Sequence, residues 1–165
     1  MTAFYDQTVP FLINGIAGMQ KFLKKAEAHI DEKKFDKGVV LATRIFPDML
    51  NLTKQIQLVS DFGKGASARL QGIAVPSFPD EEKTFDELQA RLAKTIDLLK
   101  AVDAKLVDPA REVVIKVGGK DTPMSALAYF NGYVLPNFYF HMTTAYNILR
   151  GMGVPLGKAD FMGRG

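Results

Sequence analysis

Apolar positions recur in steps of three and four over four long stretches of this chain, the spacing that gathers them on one face of a helix. In the first stretch the stripe is Val9, Leu12, Ile16, Met19, Leu23, Ala26 and Ile30, with Pro10 confined to the first turn. A short helical segment is predicted around 36–43. Pro47 suits a first helical position, so a second long helix is read from there to about Leu70, with Met49, Leu52, Ile56, Val59, Gly63 and Ala66 facing inward. The stretch 72–79 holds Gly72, Pro76 and Pro79 and reads as a long connection.

A third helix opens on Thr84-Phe-Asp-Glu87, a capping box in which hydroxyl and carboxylate satisfy orphan amides. Its stripe runs through Phe85, Leu88, Leu92, Ile96, Leu99, Val102 and Leu106 until Pro109. The β-rich run Glu112 to Val117, then Gly118-Gly119 and residues 120–124, predicts a small hairpin. Two strands alone are marginal, so its core contribution is expected to be slight. Ser125 caps a fourth helix reaching Met152, with Leu127, Phe130, Val134, Phe138, His141, Ala145, Ile148 and Met152 inward and Pro136 bending it. The tail 153–165 reads as an extended arm anchored by Leu156 and Phe161. The sum is an all-α fold, a four-helix bundle with a long crossover and a small β-hairpin before the last helix, in one domain spanning 1–165.

Composition narrows the partners. A chain of 165 residues buries one sizeable core and is short for two. Its net charge of +3 comes from residues of mixed sign with no basic block, which argues against a nucleic-acid partner. Lys21, Lys24 and Lys25 are balanced by Glu27, Asp31 and Glu32 and read as a solvated helix face. The absence of cysteine excludes disulfides, thiolate zinc sites and cysteine nucleophiles. A cytoplasmic location is expected, since no secretion signal is visible, and no apolar run approaches the roughly 18 residues of a membrane span.

Candidate chemistry lies at the polar positions inside the stripes. His141 is one of two histidines and sits mid-stripe on the fourth helix. By the 100° helical step, Asn137 falls about 40° from it and Thr144 about 60°. On the second helix the same geometry puts Asp48 and Gln55 beside the stripe, while Gln57 and Asp61 point away. Asp48, Gln55, Asn137 and His141 then meet between two helices. One meaning is a metal cluster, which bundle cores commonly host. The other, preferred on ligand count, is a hydrogen-bond network in which Asp48 or Gln55 accepts from the imidazole, because one histidine with amides serves zinc poorly. An imidazole paired with a carboxylate can also do acid and base work.

Other polar signals are weaker. His29 reads as solvated, and Arg44 as an ion-pair partner of Asp48. Asp61-Phe62-Gly63 lacks the other kinase motifs. Tyr139, Phe140 and Tyr146 make the fourth helix aromatic on more than one side, and a homodimer is expected.

The segment 137–154, with His141, Leu149-Arg150 and Gly153-Val154, resembles the last helix of the DinB-like superfamily. There an H-x-x-x-H-R-G-Q stretch leads into a Leu-Arg and a Gly-Val pair. The second histidine of that pattern falls on His141 and the first on Asn137, while Met142, Thr143 and Thr144 replace R-G-Q. With Pro47-Asp48-Met49, Val75-Pro76-Ser77-Phe78 and the run from Pro136 to His141, the whole chain looks like a branch of that superfamily known as a domain of unknown function. The resemblance implies the bundle and a dimer. Among characterised relatives it also implies a three-histidine site for a divalent metal and, in some, transfer reactions with low-molecular-weight thiols. Of those ligands this chain keeps His141, with Gln55 or Asp48 at the second-helix position.

Three readings follow. The first is a small-molecule pocket around His141 without the full metal site. The second is a metal-dependent transferase or hydrolase in which His141, Asn137, Gln55 and Asp48 hold nickel, iron, manganese or zinc, the oxygen-rich set favouring the first three. The third is a dimeric interaction protein.

Overall fold

The computed structural model describes residues 3–164; Met1, Thr2 and Gly165, which the single-domain expectation includes, lie outside the described residues. Four long helices form the bundle: α2 (Val9–Lys33), α4 (Leu52–Arg69), α5 (Phe85–Lys100) and α7 (Leu135–Gly151). Short helices α1 (Ala3–Asp6), α3 (Lys37–Ala42), α6 (Ala126–Tyr129) and α8 (Lys158–Phe161) flank them. Strands β1 (Glu112–Val117) and β2 (Lys120–Ser125) form the hairpin before α6. Helix α4 is central, packed against α7 on one side and α5 on the other, and α2 lies against α5.

The periodicity finds its burial. Every stripe residue of α2 is inside, as are Leu52, Ile56, Val59, Gly63 and Ala66 of α4 and Phe85, Leu88, Leu92, Ile96 and Leu99 of α5. Each large aliphatic among them contributes on the order of 1.5–3 kcal/mol of burial free energy before entropy is charged against it. Helices α2 and α7 approach closely at Gly15, where an added Cβ would lie 2.8 Å from the Phe138 ring.

Several local expectations are corrected. Helix α4 starts at Leu52 and not at Pro47, because the Asn51 side chain accepts from the Lys54 amide and caps it there. Residues 43–51 form a turn in which Asp48 is exposed and Met49 half-buried. Arg44 donates to the carbonyls of Pro47 and Met49, and does not pair with Asp48. Helix α5 ends at Lys100, leaving Leu106 exposed in a separate 3-10 turn. The tail is not simply extended, since α8 packs on α2 through the Lys25–Asp160 pair at 3.1 Å.

The expected hairpin forms, paired from Glu112 opposite Ser125 to Val117 opposite Lys120. Gly118 and Gly119 have φ of 57° and 81°, the positive values a two-residue hairpin turn of this kind requires. Its contribution is larger than expected, since Val113 and Ile115 join the main core.

The last helix is interrupted before Pro136. Residues Phe130–Val134 form a π turn, and the Leu135 amide bonds back to the Phe130 carbonyl. A π turn takes up one residue more than the α turn it replaces, so the inward positions shift by one on its N-terminal side. Ala126 and Tyr129 are buried, while Leu127, inward by unbroken periodicity, is 46% exposed.

Candidate functional site

The first turn of α4 and the middle of α7 bring Gln55 and His141 together. Gln55 donates from Nε2 to the Leu50 carbonyl at 3.0 Å, so its Oε1 must face the imidazole. His141 Nδ1 lies 2.7 Å from that oxygen. An amide oxygen only accepts, so Nδ1 carries the proton and the neutral ring presents Nε2 as an acceptor. The residue is 9% exposed. Burial pushes its pKa below the usual imidazole value, which keeps it neutral at pH 7.

The rest of its surroundings are aromatic. Phe62 stacks on the ring with centroids 5.7 Å apart, and Phe140 meets it edge-on at 5.2 Å. Asn137, one turn earlier, donates from Nδ2 to the Tyr133 carbonyl at 2.7 Å, and Thr144 donates to the Phe140 carbonyl. Asp48 stands exposed on the preceding turn and makes no hydrogen bond to the pair. Of the four site residues read from the sequence, His141 and Gln55 are in contact, Asn137 is turned to its own helix, and Asp48 is apart.

The donor chemistry does not fit the three-histidine centre that the superfamily resemblance implies. It comprises one imidazole nitrogen and two amides already engaged, and among the described residues no group of three His, Cys, Asp or Glu side chains is placed to hold an ion. Tight divalent sites need more anionic or imidazole ligands than that.

Beyond Phe62 lies a cavity of about 580 Å³. Its walls include Leu58 and Arg69 of α4, Tyr129, Tyr133, and Val114 of the hairpin. Phe62 is common to both places, contacting His141 on one side and the edge of Tyr133 at 5.7 Å on another.

A second polar cluster went unread in the sequence. Arg91 of α5 is 4% exposed. Its guanidinium reaches Asp61 at 2.8 Å, Asp80 at 3.0 Å and Glu82 at 3.0 Å, and it also donates to the Pro79 carbonyl and Ser60 Oγ. Gln57 is buried and donates to Glu82. Gln57 and Asp61, expected to point away, do point away from α7, but into the α4–α5 seam. Arg91 follows Leu88 by three and precedes Thr95 by four, which is the signal that marks it as inward. The cluster pins the crossover to the bundle.

The comparisons agree with this architecture. A family described as "Domain of unknown function (DUF1993)" matches residues 4–162. The crystal structure of a DinB family member protein from Shewanella denitrificans is 34% identical, with a TM-score of 0.88 over 96% of this chain and 91% of that one. No curated protein matches. No helix among the described residues is long and apolar enough to cross a membrane. With a family match over nearly its full length and a close structural relative, the chain belongs to the DUF1993 family of unknown function and has the DinB-like helical-bundle fold.

Proposed function

We propose that this protein binds a small molecule in the cavity that Phe62 shares with the His141 site, and that His141 stands behind Phe62 as a neutral imidazole without a tightly held metal. The observation that carries the reading is the Nδ1 contact to Gln55 Oε1 at 2.7 Å, which fixes the tautomer and leaves Nε2 as the ring's acceptor. The cavity beyond Phe62 lies within the usual range for small-ligand sites, roughly 300–1,000 Å³. A cytoplasmic setting is part of the proposal, motivated by the cysteine-free composition.

Metal analysis of protein purified without a histidine tag tests it. The expected result is less than stoichiometric metal in both wild type and His141→Ala. Stoichiometric nickel, iron, manganese or zinc that disappears in His141→Ala would overturn the reading in favour of a metal-dependent transferase or hydrolase.

A homodimer is favoured by a separate observation. Ile45, Phe46 and Leu50, on the turn leading to Gln55, and Phe140, beside His141, are each at least 44% exposed. Large apolar side chains concentrated this way mark association surfaces. Sedimentation analysis should find a dimer that Phe46→Ser with Phe140→Ser converts to folded monomer; association unchanged by both substitutions would count against it.

A further inference from the structure

Leu58, Phe62, Gly65 and Arg69 follow Gln55 on α4 in steps of three and four, so a single helical stripe runs from the His141 contact to the far end of the cavity. Arg69 and Tyr129 stand at that end. The guanidinium donates from Nη1 to the Tyr129 hydroxyl at 3.3 Å. Among the described residues it has no carboxylate partner, and its other N–H groups meet no protein acceptor. Tyr129 is 1% exposed, and burial pushes its hydroxyl above the ordinary phenol value, more than the adjacent Arg69 charge draws it down. It therefore keeps its proton at neutral pH. That proton also lacks a protein acceptor among the described residues. Two adjacent donors with unspent hydrogens, facing a cavity, call for an acceptor from outside the chain.

The backbone is shaped to hold the guanidinium there. An added Cβ at Gly65 would lie 2.6 Å from Arg69 Nη1, so the absent side chain is what lets the arginine fold against the helix. The charge balance selects the kind of anion. The cavity is lined by three cations (Lys64, Arg69, Lys116) and two carboxylates (Asp61, Asp121), a surplus of one positive charge, 3 − 2 = +1. Asp61 is bound to Lys64 and Arg91, and Asp121 to Lys116, so the surplus resides on Arg69. One surplus charge matches a monoanion better than a phosphate dianion, and the planar fork suits a carboxylate. The remaining walls are apolar and aromatic, with Phe62 about 10 Å along the helix from Arg69 by the 1.5 Å rise.

We infer that Arg69 and Tyr129 form a carboxylate-binding site, which takes an organic monoacid with its charged end on the guanidinium and its apolar body directed along α4 towards Phe62. This rests on the reading of the cavity as a small-molecule site, but not on any role of His141.

The test is an amide NMR titration of the full chain with 3-phenylpropionate, its neutral counterpart 3-phenylpropanol, and inorganic phosphate. The carboxylate is expected to bind at millimolar concentration or better and to shift resonances at Arg69, Tyr129 and Phe62. The alcohol and phosphate should bind at least about tenfold more weakly, the difference one desolvated charged pair supplies. Arg69→Gln should reduce carboxylate affinity by a similar factor and leave the alcohol unaffected, and Arg69→Lys should recover part of it. Gly65→Ala keeps the charge but displaces it, and should also weaken the carboxylate. Absence of carboxylate binding, equal binding of acid and alcohol, tighter binding of phosphate, or an affinity indifferent to Arg69→Gln would each overturn the inference. His141→Ala separates the two proposals: Arg69-dependent binding that survives it leaves the anion site standing whatever becomes of the histidine.

Discussion

Replacing Arg91 by methionine keeps an unbranched apolar chain at this inward position and removes the guanidinium, which lies over the Phe78 ring and is shared by Asp61, Asp80 and Glu82. Asp61 and Asp80 each retain a lysine, Lys64 and Lys54 respectively, and their side chains are 31% and 37% exposed. Water and those lysines recover much of their loss. Glu82, with a side chain 14% exposed, keeps no cation and is left with the Gln57 amide and its own backbone amide. Breaking a fully buried ion pair from one side costs about 3–5 kcal/mol, and the lower end applies to this partly hydrated cluster. We expect a loss of about 3 kcal/mol, which for a domain of this size lowers Tm by roughly 6–12 °C. Urea unfolding at pH 7 should show this as a lower midpoint at unchanged slope. Adding Glu82→Gln to Arg91→Met should restore about 1–2 kcal/mol, since it removes the stranded charge.

Acid sharpens the same prediction. Burial raises the Glu82 carboxyl, but hydrogen bonds from Arg91 and Gln57 outweigh it and hold the group below the usual carboxylate range. A depressed carboxyl stabilises the fold above its unfolded pKa, and that stabilisation is lost as pH falls through the folded value. The gap between wild type and Arg91→Met should therefore be widest at neutral pH and narrow below about pH 4. A stability within 0.5 kcal/mol (roughly the noise of surface substitutions) of wild type, or no rescue by Glu82→Gln, would refute the account.

His141 titrates with the opposite chemistry but the same direction of acid loss: burial lowers its pKa, so the unfolded chain binds the proton first. Stability should fall as pH drops from about 6.5 towards the folded value, and His141→Phe should flatten that segment of the profile; an unchanged profile would contradict the buried neutral ring. At the start of α5, Thr84 accepts from the Glu87 amide while Glu87 accepts from the Thr84 amide. Thr84→Ala should cost about 1 kcal/mol in urea unfolding, and a loss below a few tenths would mean the cap is redundant.

The bundle was legible because its core positions are apolar at helical spacing, and apolar burial is insensitive to which partner supplies the other wall. The capping residues Thr84 and Ser125 and the paired glycines of the hairpin were equally readable, since each acts within a few residues of itself. The site was only half readable. The helical wheel put Gln55 and His141 on the right faces, and both proved to be in contact. It could not foresee that Asn51 would start α4 and leave Asp48 outside the helix, because capping competes with proline placement over a few residues. Arg91 was missed because its inward position looks costly until three carboxylates from a distant connection and a facing helix are brought to it. Leu127 was misplaced for a subtler reason, the spare residue absorbed at 130–134.

That spare residue gives the last helix slack. Removing one amino acid within Phe130–Val134 would let the turn close to ordinary α geometry with α6 and α7 still presenting their present faces. His141 would stay on Gln55, whereas the same deletion a turn later, between Pro136 and His141, would swing the imidazole by about 100°. Closing the turn has a condition, however: in an unbroken α-helix the Pro136 ring would collide with the carbonyl four residues before it. Length and proline are thus linked characters of this segment, and a chain one residue shorter here can keep the site in phase if it also gives up the proline.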